Sequence, residues 1–150
     1  SGTATYVKEF AVPESVVSRN LSVMLDLGRL ANLAQVRLNG EDLGILWKPP
    51  YRVVLPKPLK PGLNRIEIAI TNLWPNRLIG DEQLPDDCEW NNANLKKWPE
   101  WFMAGQPRPS AARTTFTTWK HYTKDAPLRD SGLYGPVRLY SSETLSVGGE

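Results

Sequence analysis

Up to Asn72, apolar side chains recur at every second position within short segments bounded by Gly, Pro or Asn, and that period predicts β-strands with one wet face each. Leu21, Val23, Leu25 and Leu27 alternate with Ser22 and Asp26, and Ala34, Val36 and Leu38 alternate with Gln35, Arg37 and Asn39. Asn39, Gly40, Glu41 and Asp42 then supply residues that tolerate positive φ, so the chain turns and resumes as a hairpin partner through Leu43-Gly44-Ile45-Leu46-Trp47. Pro49-Pro50 interrupts the ladder before a strand at residues 51–55, and Pro56, Pro58 and Pro61-Gly62 turn the chain again. Residues 64–71 show the clearest alternation, with Ile66, Ile68 and Ile70 on one face and Arg65, Glu67 and Thr71 on the other.

From residue 73 to 112 the texture changes to Trp, Pro, Asn and acidic residues. A stretch of that length in a compact domain is functional or carries short helical turns, and one such turn is expected within residues 91–102. Thr114-Thr115-Phe116-Thr117-Thr118-Trp119 is strand-like. Ser131-Gly132-Leu133-Tyr134-Gly135-Pro136 reads as a tight turn feeding a last strand at 137–140, placed beside the first strand of the fold. Short strands, regular turns and no long 3.6-residue period predict an all-β antiparallel sandwich, and no fixed repeat suggests a propeller or solenoid.

Composition narrows the class. A chain of 150 residues fits one domain, residues 1–150, that buries roughly 70% of its unfolded surface. Apolar residues at 41% and charged residues at 23% are ordinary for a globular protein. The net charge is +2, with basic and acidic residues interleaved, so nucleic acid is not an expected partner. No apolar run approaches the roughly 18 residues of a bilayer span, and no signal-peptide pattern opens the chain, so neither a membrane partner nor a targeting segment is expected in this piece. Cys88 is the single cysteine, which excludes an internal disulfide and a multi-thiolate zinc site. The small polar ends, Ser1-Gly2 and Val147-Gly148-Gly149-Glu150, read as domain-linker sequence in a longer protein.

Several strings carry a resemblance. Ala34-Gln35-Val36-Arg37-Leu38-Asn39-Gly40, Leu43-Gly44 and Trp47-Lys48-Pro49-Pro50-Tyr51 resemble the strand, turn and strand signature of the sugar-binding β-sandwich of family 2 glycoside hydrolases. Pro61-Gly62-Leu63-Asn64-Arg65-Ile66-Glu67-Ile68 and Thr71-Asn72 are similar to the strand that follows it. Asn76-Arg77-Leu78-Ile79-Gly80-Asp81 and Ser131-Gly132-Leu133-Tyr134-Gly135-Pro136-Val137 resemble strings of the accessory domain of family 106 rhamnosidase-like enzymes. The resemblance covers most of the chain. It implies a galactose-binding-like jelly roll attached to a larger barrel that holds the catalytic groups, and a parent enzyme that is secreted or periplasmic. It implies no catalytic residue here, and a shared fold by itself assigns no ligand.

Residue chemistry agrees in outline. The cluster Asp81, Glu82, Asp86, Asp87 and Glu89 has the carboxylates that glycoside hydrolysis uses, but adjacency in sequence does not place two of them across a substrate, and a solvated or salt-bridged surface is the simpler reading. The same loop has oxygen ligands suited to a structural calcium ion, as in some galactose-binding-like modules, although EF-hand spacing is missing. No other cofactor is expected. His121 is the one histidine and no G-x-S-x-G elbow accompanies it, so a structural role is expected. The aromatic residues say most. Trp74, Trp90, Trp98 and Trp101 fall in the long irregular segment and Trp119 follows, with Asn76 and Arg77 as polar neighbours. Indole faces stack on pyranose C–H groups, so these seven residues form a candidate carbohydrate surface. Loop anchoring, or docking on the catalytic domain of the parent enzyme, is the competing use of the same rings. Trp47 and Tyr51 are expected in core or edge packing.

Overall fold

The computed structural model describes residues 1–17, 21–109 and 112–142. In chain order the elements are β1 (Thr3–Val12), α1 (Glu14–Val17), β2 (Ser22–Asp26), β3 (Arg29–Ala31), β4 (Leu33–Leu38), β5 (Glu41–Leu46), β6 (Arg52–Val54), β7 (Gly62–Thr71), α2 (Pro75–Asp81), β8 (Trp90–Asn91), β9 (Asn94–Leu95), α3 (Glu100–Met103), β10 (Gly132–Gly135) and β11 (Arg138–Ser142). They fall into two compact units, one of Gly2–Asn72 with Ser131–Glu150, the other of Leu73–Asp130 with Ser1.

The first unit is an all-β antiparallel sandwich. One sheet has the order β1-β7-β4-β5, the other β11-β2-β6, and β10 pairs with β3 in a short ribbon. Every ladder is antiparallel. The alternation in the sequence decides which way each strand faces. Ile66, Ile68 and Ile70 of β7 and Ala34, Val36 and Leu38 of β4 are buried, and they meet Leu25, Leu27, Leu30, Leu55 and Leu59 in one core. A register slip of one residue in either strand would turn its three inward residues out at once.

The hairpin between β4 and β5 turns through Asn39 and Gly40, with Leu38 opposite Glu41. Both turn residues have positive φ, 52° and 83°, the type I′ geometry whose twist matches that of the flanking strands. Asn39 also pins the turn to β7, its Oδ1 accepting from the Arg65 amide at 2.9 Å while its Nδ2 donates to Asn64 Oδ1 at 2.9 Å. Asn64 is fully buried and its amide group further bonds the Lys60 amide, the Lys60 carbonyl and the Gly62 carbonyl. A side chain that reads as a strand start is thus the anchor of the turn before it.

The end of the sandwich departs from the pattern reading in three places. Residues 131–136 are not only a turn: Gly132–Gly135 form β10 beside β3, with a bulge between Leu133 and Gly135. β1 is a strand that the alternation did not single out, and the last strand lies beside β2, the first strand that it did, with Leu139 opposite Leu25. Asp26, expected on a wet face, is buried because its carboxylate accepts from the Gly28 amide at 2.8 Å and from Arg52 Nε at 2.8 Å. Those bonds outweigh the cost of burial and hold its pKa below the ordinary value. Tyr51 packs against the core as expected, whereas Trp47 is exposed.

Candidate functional site

The second unit holds the tryptophan-rich segment, and polar side chains organise it. Pro75 occupies the first turn of α2, where its missing N–H costs nothing. The helix was not anticipated, because seven residues are too few to display a 3.6-residue period. Its last residue, Asp81, is buried with a side chain that is 2% exposed. One carboxylate oxygen accepts from the Thr114 amide at 2.9 Å, the Thr115 amide at 2.6 Å and the Thr115 hydroxyl at 2.8 Å. The other faces Arg77 Nε at 3.2 Å. Burial opposes ionisation of Asp81, but the Thr115 and Thr114 bonds and the Arg77 charge prevail, so its pKa lies below the ordinary value. The expected strand at 114–119 does not form for the same reason. The Thr114 and Thr115 amides are spent on Asp81, and the segment retains one bridge, Trp119 to Asn94.

Each remaining acid of the cluster also faces a cation. Glu82 faces Arg113 at 3.3 Å and Lys120 at 3.4 Å. Asp86 faces the same two cations, at 3.3 and 2.9 Å. Asp87 takes a two-pronged contact from Arg108, at 2.6 and 2.9 Å. Glu89 lies 2.8 Å from Lys97 and 3.3 Å from Lys96. The Arg108 hydrogen bonds hold Asp87 below the ordinary carboxylate range. Arg108 goes on to donate to the Arg113 and Thr115 carbonyls. Asp81, Glu82 and Asp87 are therefore struts within the unit, while Asp86 and Glu89 pair with cations at its surface. Among the described residues no group of three or more His, Cys, Asp or Glu is arranged to hold a metal ion. Cys88 lies in the same network, where burial and the Asp87 charge push its thiol pKa up and leave little thiolate.

The seven candidate surface residues separate into three groups. Asn76 and Arg77 face inward to their own unit. The Asn76 amide bridges the Arg129 amide and carbonyl at 2.7 and 2.8 Å, and Arg77 is shared between Asp81 and the Thr114 hydroxyl. Trp98 and Trp101 come together. Trp98 stacks on Phe102 at 5.1 Å and Phe102 on Phe116 at 5.1 Å, while Trp101 meets both phenylalanines edge-on at 5.9 and 5.7 Å. The turn expected within 91–102 supplies this geometry: α3 begins at Glu100 and places Phe102 on Trp98, with Met103 next in the chain. Trp98 is 49%, Phe102 46% and Met103 70% exposed, so the cluster presents an apolar shelf to solvent. Phe102, Met103 and Phe116 were missed by a reading that weighed tryptophan alone.

Trp74, Trp90 and Trp119 stand apart from the shelf. Trp74 precedes α2 and is half exposed. Trp90 lies in β8 with Lys120 Nζ 5.0 Å from its ring centre, and its indole N–H is buried without a hydrogen-bond partner among the described residues. Trp119 is half exposed with its ring edge-on to His121 at 4.8 Å.

No protein-family model matches the chain. The chain is 48% identical over 139 residues to a protein of Formosa agariphila described as "Putative beta-glucuronidase", covering 93% of this chain and 12% of that protein. Among solved structures it is similar to a rhamnosidase from Novosphingobium sp. PP1Y, at 40% identity and a TM-score of 0.67, over 93% of this chain and 11% of that one. A Bifidobacterium dentium beta-glucuronidase shares the fold at 20% identity, with a TM-score of 0.56 over 94% of this chain and 21% of that one. The chain thus spans about an eighth of the curated relative it matches, and it is similar to one small part of proteins described as glycoside hydrolases.

Proposed function

We propose that the chain is a non-catalytic accessory domain of a glycoside hydrolase, and that the shelf of Trp98, Phe102 and Met103 packs against another part of that enzyme. The observation that carries this reading is the division of labour in the second unit. The acids of residues 81–89 and the Asn76 amide are each held by partners within the unit, while Trp98, Phe102 and Met103 stand open to solvent. Hydrolysis of a glycoside needs one carboxyl group that can give up a proton and a second that is ionised and open to substrate. The acids of residues 81–89 each face a cation instead. An exposed apolar shelf suits a domain interface, which excludes charge at its centre. The small share of the relatives' length that this chain spans supports the same reading.

The test uses Met103→Glu. A charge on an exposed surface changes stability by less than about 0.5 kcal/mol, whereas a charge buried in an interface costs about 2 kcal/mol or more. The variant is expected to leave the 150-residue chain unaffected and to lower the stability of the longer enzyme. Equal effects in the two contexts, or turnover of aryl glycosides by the chain alone, would overturn the proposal.

Carbohydrate binding is the second reading, and Trp119 favours it: half of its indole faces solvent while His121 and the bridge to Asn94 fix the ring's base. Calorimetric titration with a panel of rhamnose- and uronate-containing oligosaccharides tests it, with Trp119→Ala expected to weaken saturable binding. No heat from any glycan at millimolar concentration would dismiss it.

A further inference from the structure

The inner faces of the sandwich are not covered on every side. β1 and β11 are the outer strands of the two sheets, and an apolar groove of about 450 Å3 opens between them, lined by Phe10, Leu25, Ile66, Ile68, Leu133 and Leu139 among others. Leu25, Ile66 and Ile68 belong to the buried core, so the groove is an opening into that core. Protein interiors pack at crystal-like density, and a void of this size along a sandwich is a place where side chains belong.

The two strands that bracket the groove differ in how they are protected. β1 carries Lys8 opposite Ile66, on the same face as Tyr6 and Phe10. An inward-pointing lysine on an outer strand blocks pairing with another strand. β11 carries one charge, Arg138 at its first position, which also lines the groove. After Arg138 it reads Leu139-Tyr140-Ser141-Ser142 and is exposed along its length, with Leu139 at 38% and Tyr140 at 39%. On an outer strand the N–H and C=O groups of every second residue point away from the sheet and can hydrogen-bond to an added strand.

We infer that β11 receives a further strand from the part of the longer polypeptide outside these 150 residues, with apolar side chains at alternate positions entering the groove between Phe10 and Leu139. The inference rests on the reading of the chain as part of a longer enzyme. A second copy is a poor occupant. Its own Leu139 is opposite its own Leu25, so pairing β11 with β11 would join two edges without filling either groove.

Amide hydrogen exchange compares the 150-residue chain with the longer polypeptide. In the longer polypeptide every second amide between Arg138 and Ser142 is expected to slow by roughly 100-fold relative to the chain alone. Equal rates in both would overturn the inference. So would slowing in the chain alone that grows with its concentration, because that outcome identifies a second copy. Leu139→Lys is expected to lower the thermal midpoint of the longer polypeptide by several degrees and to leave the chain nearly unchanged. Should that variant fail to fold, the exchange pattern of the unsubstituted polypeptide decides the matter. Protection of β11 in a longer polypeptide that hydrolyses no glycoside would sink the accessory-domain reading and leave the added strand standing.

Discussion

At the scale of single residues, this chain uses its acids as structural fixings. Asp26, Asp81 and Asp87 are each hydrogen-bonded in the ionised form and each has a lowered pKa. The folded protein therefore binds fewer protons than the unfolded chain at acidic pH. Their contribution is fully present above the unfolded value near 4 and is lost as pH falls through the lower folded values. Denaturant unfolding followed between pH 5 and 2 should give a stability that drops with acid. Each of the three carboxylates contributes a slope of at most about 1.4 kcal/mol per pH unit. Asp42 and Glu89 are lowered too, but they lie at the surface, so high salt screens them more than the buried Asp26 and Asp81 and the half-buried Asp87. Asp81→Asn should reduce the slope, and an unchanged slope would contradict the role given to Asp81. None of this was legible in the acidic run itself. Whether Asp81 is solvated or buried depends on Thr114 and Thr115, more than thirty residues away in sequence.

At the scale of elements, the close approach of β10 to the residue before β3 is the tightest constraint in the sandwich. Gly28 has φ of +66°, and a Cβ there would lie 2.4 Å from the Gly135 carbonyl carbon and oxygen. Gly40, in the β4–β5 turn, has φ of +83° with open space around it. Gly40→Ala should cost about 1 kcal/mol from backbone strain alone. Gly28→Ala should cost about 3 kcal/mol or more, because backbone must also move. Urea unfolding of the two variants checks the difference, and similar losses would contradict the close packing. The hairpin was readable from Asn39-Gly40 because its chemistry is local. The β10 ribbon was not, because Ser131-Gly132 and Gly135-Pro136 look like turn residues and their strand partner lies a hundred residues away. The segment at 114–119 misled in the opposite direction. Its threonines have strand propensity, but Asp81 claims the amides a ladder would need.

At the scale of the whole molecule, the fold class followed from the period-two pattern, since Ile66, Ile68, Ile70, Ala34, Val36 and Leu38 all went inward as the alternation requires. The candidate surface was only half legible. Trp98 and Trp101 join one ring cluster, but only through Phe102 of α3 and Phe116, and only folding brings those phenylalanines together. Asn76 and Arg77 looked like ligand groups because sequence shows that a polar side chain is present and not what already occupies it. The central claim is that the shelf is covered in the longer enzyme, and hydroxyl-radical footprinting at Met103 tests it most directly. Thioether oxidation follows exposure, and Met103 is 70% exposed in this chain. The account predicts rapid oxidation of Met103 in the 150-residue chain and strong protection in the longer polypeptide; equal oxidation in both would contradict it.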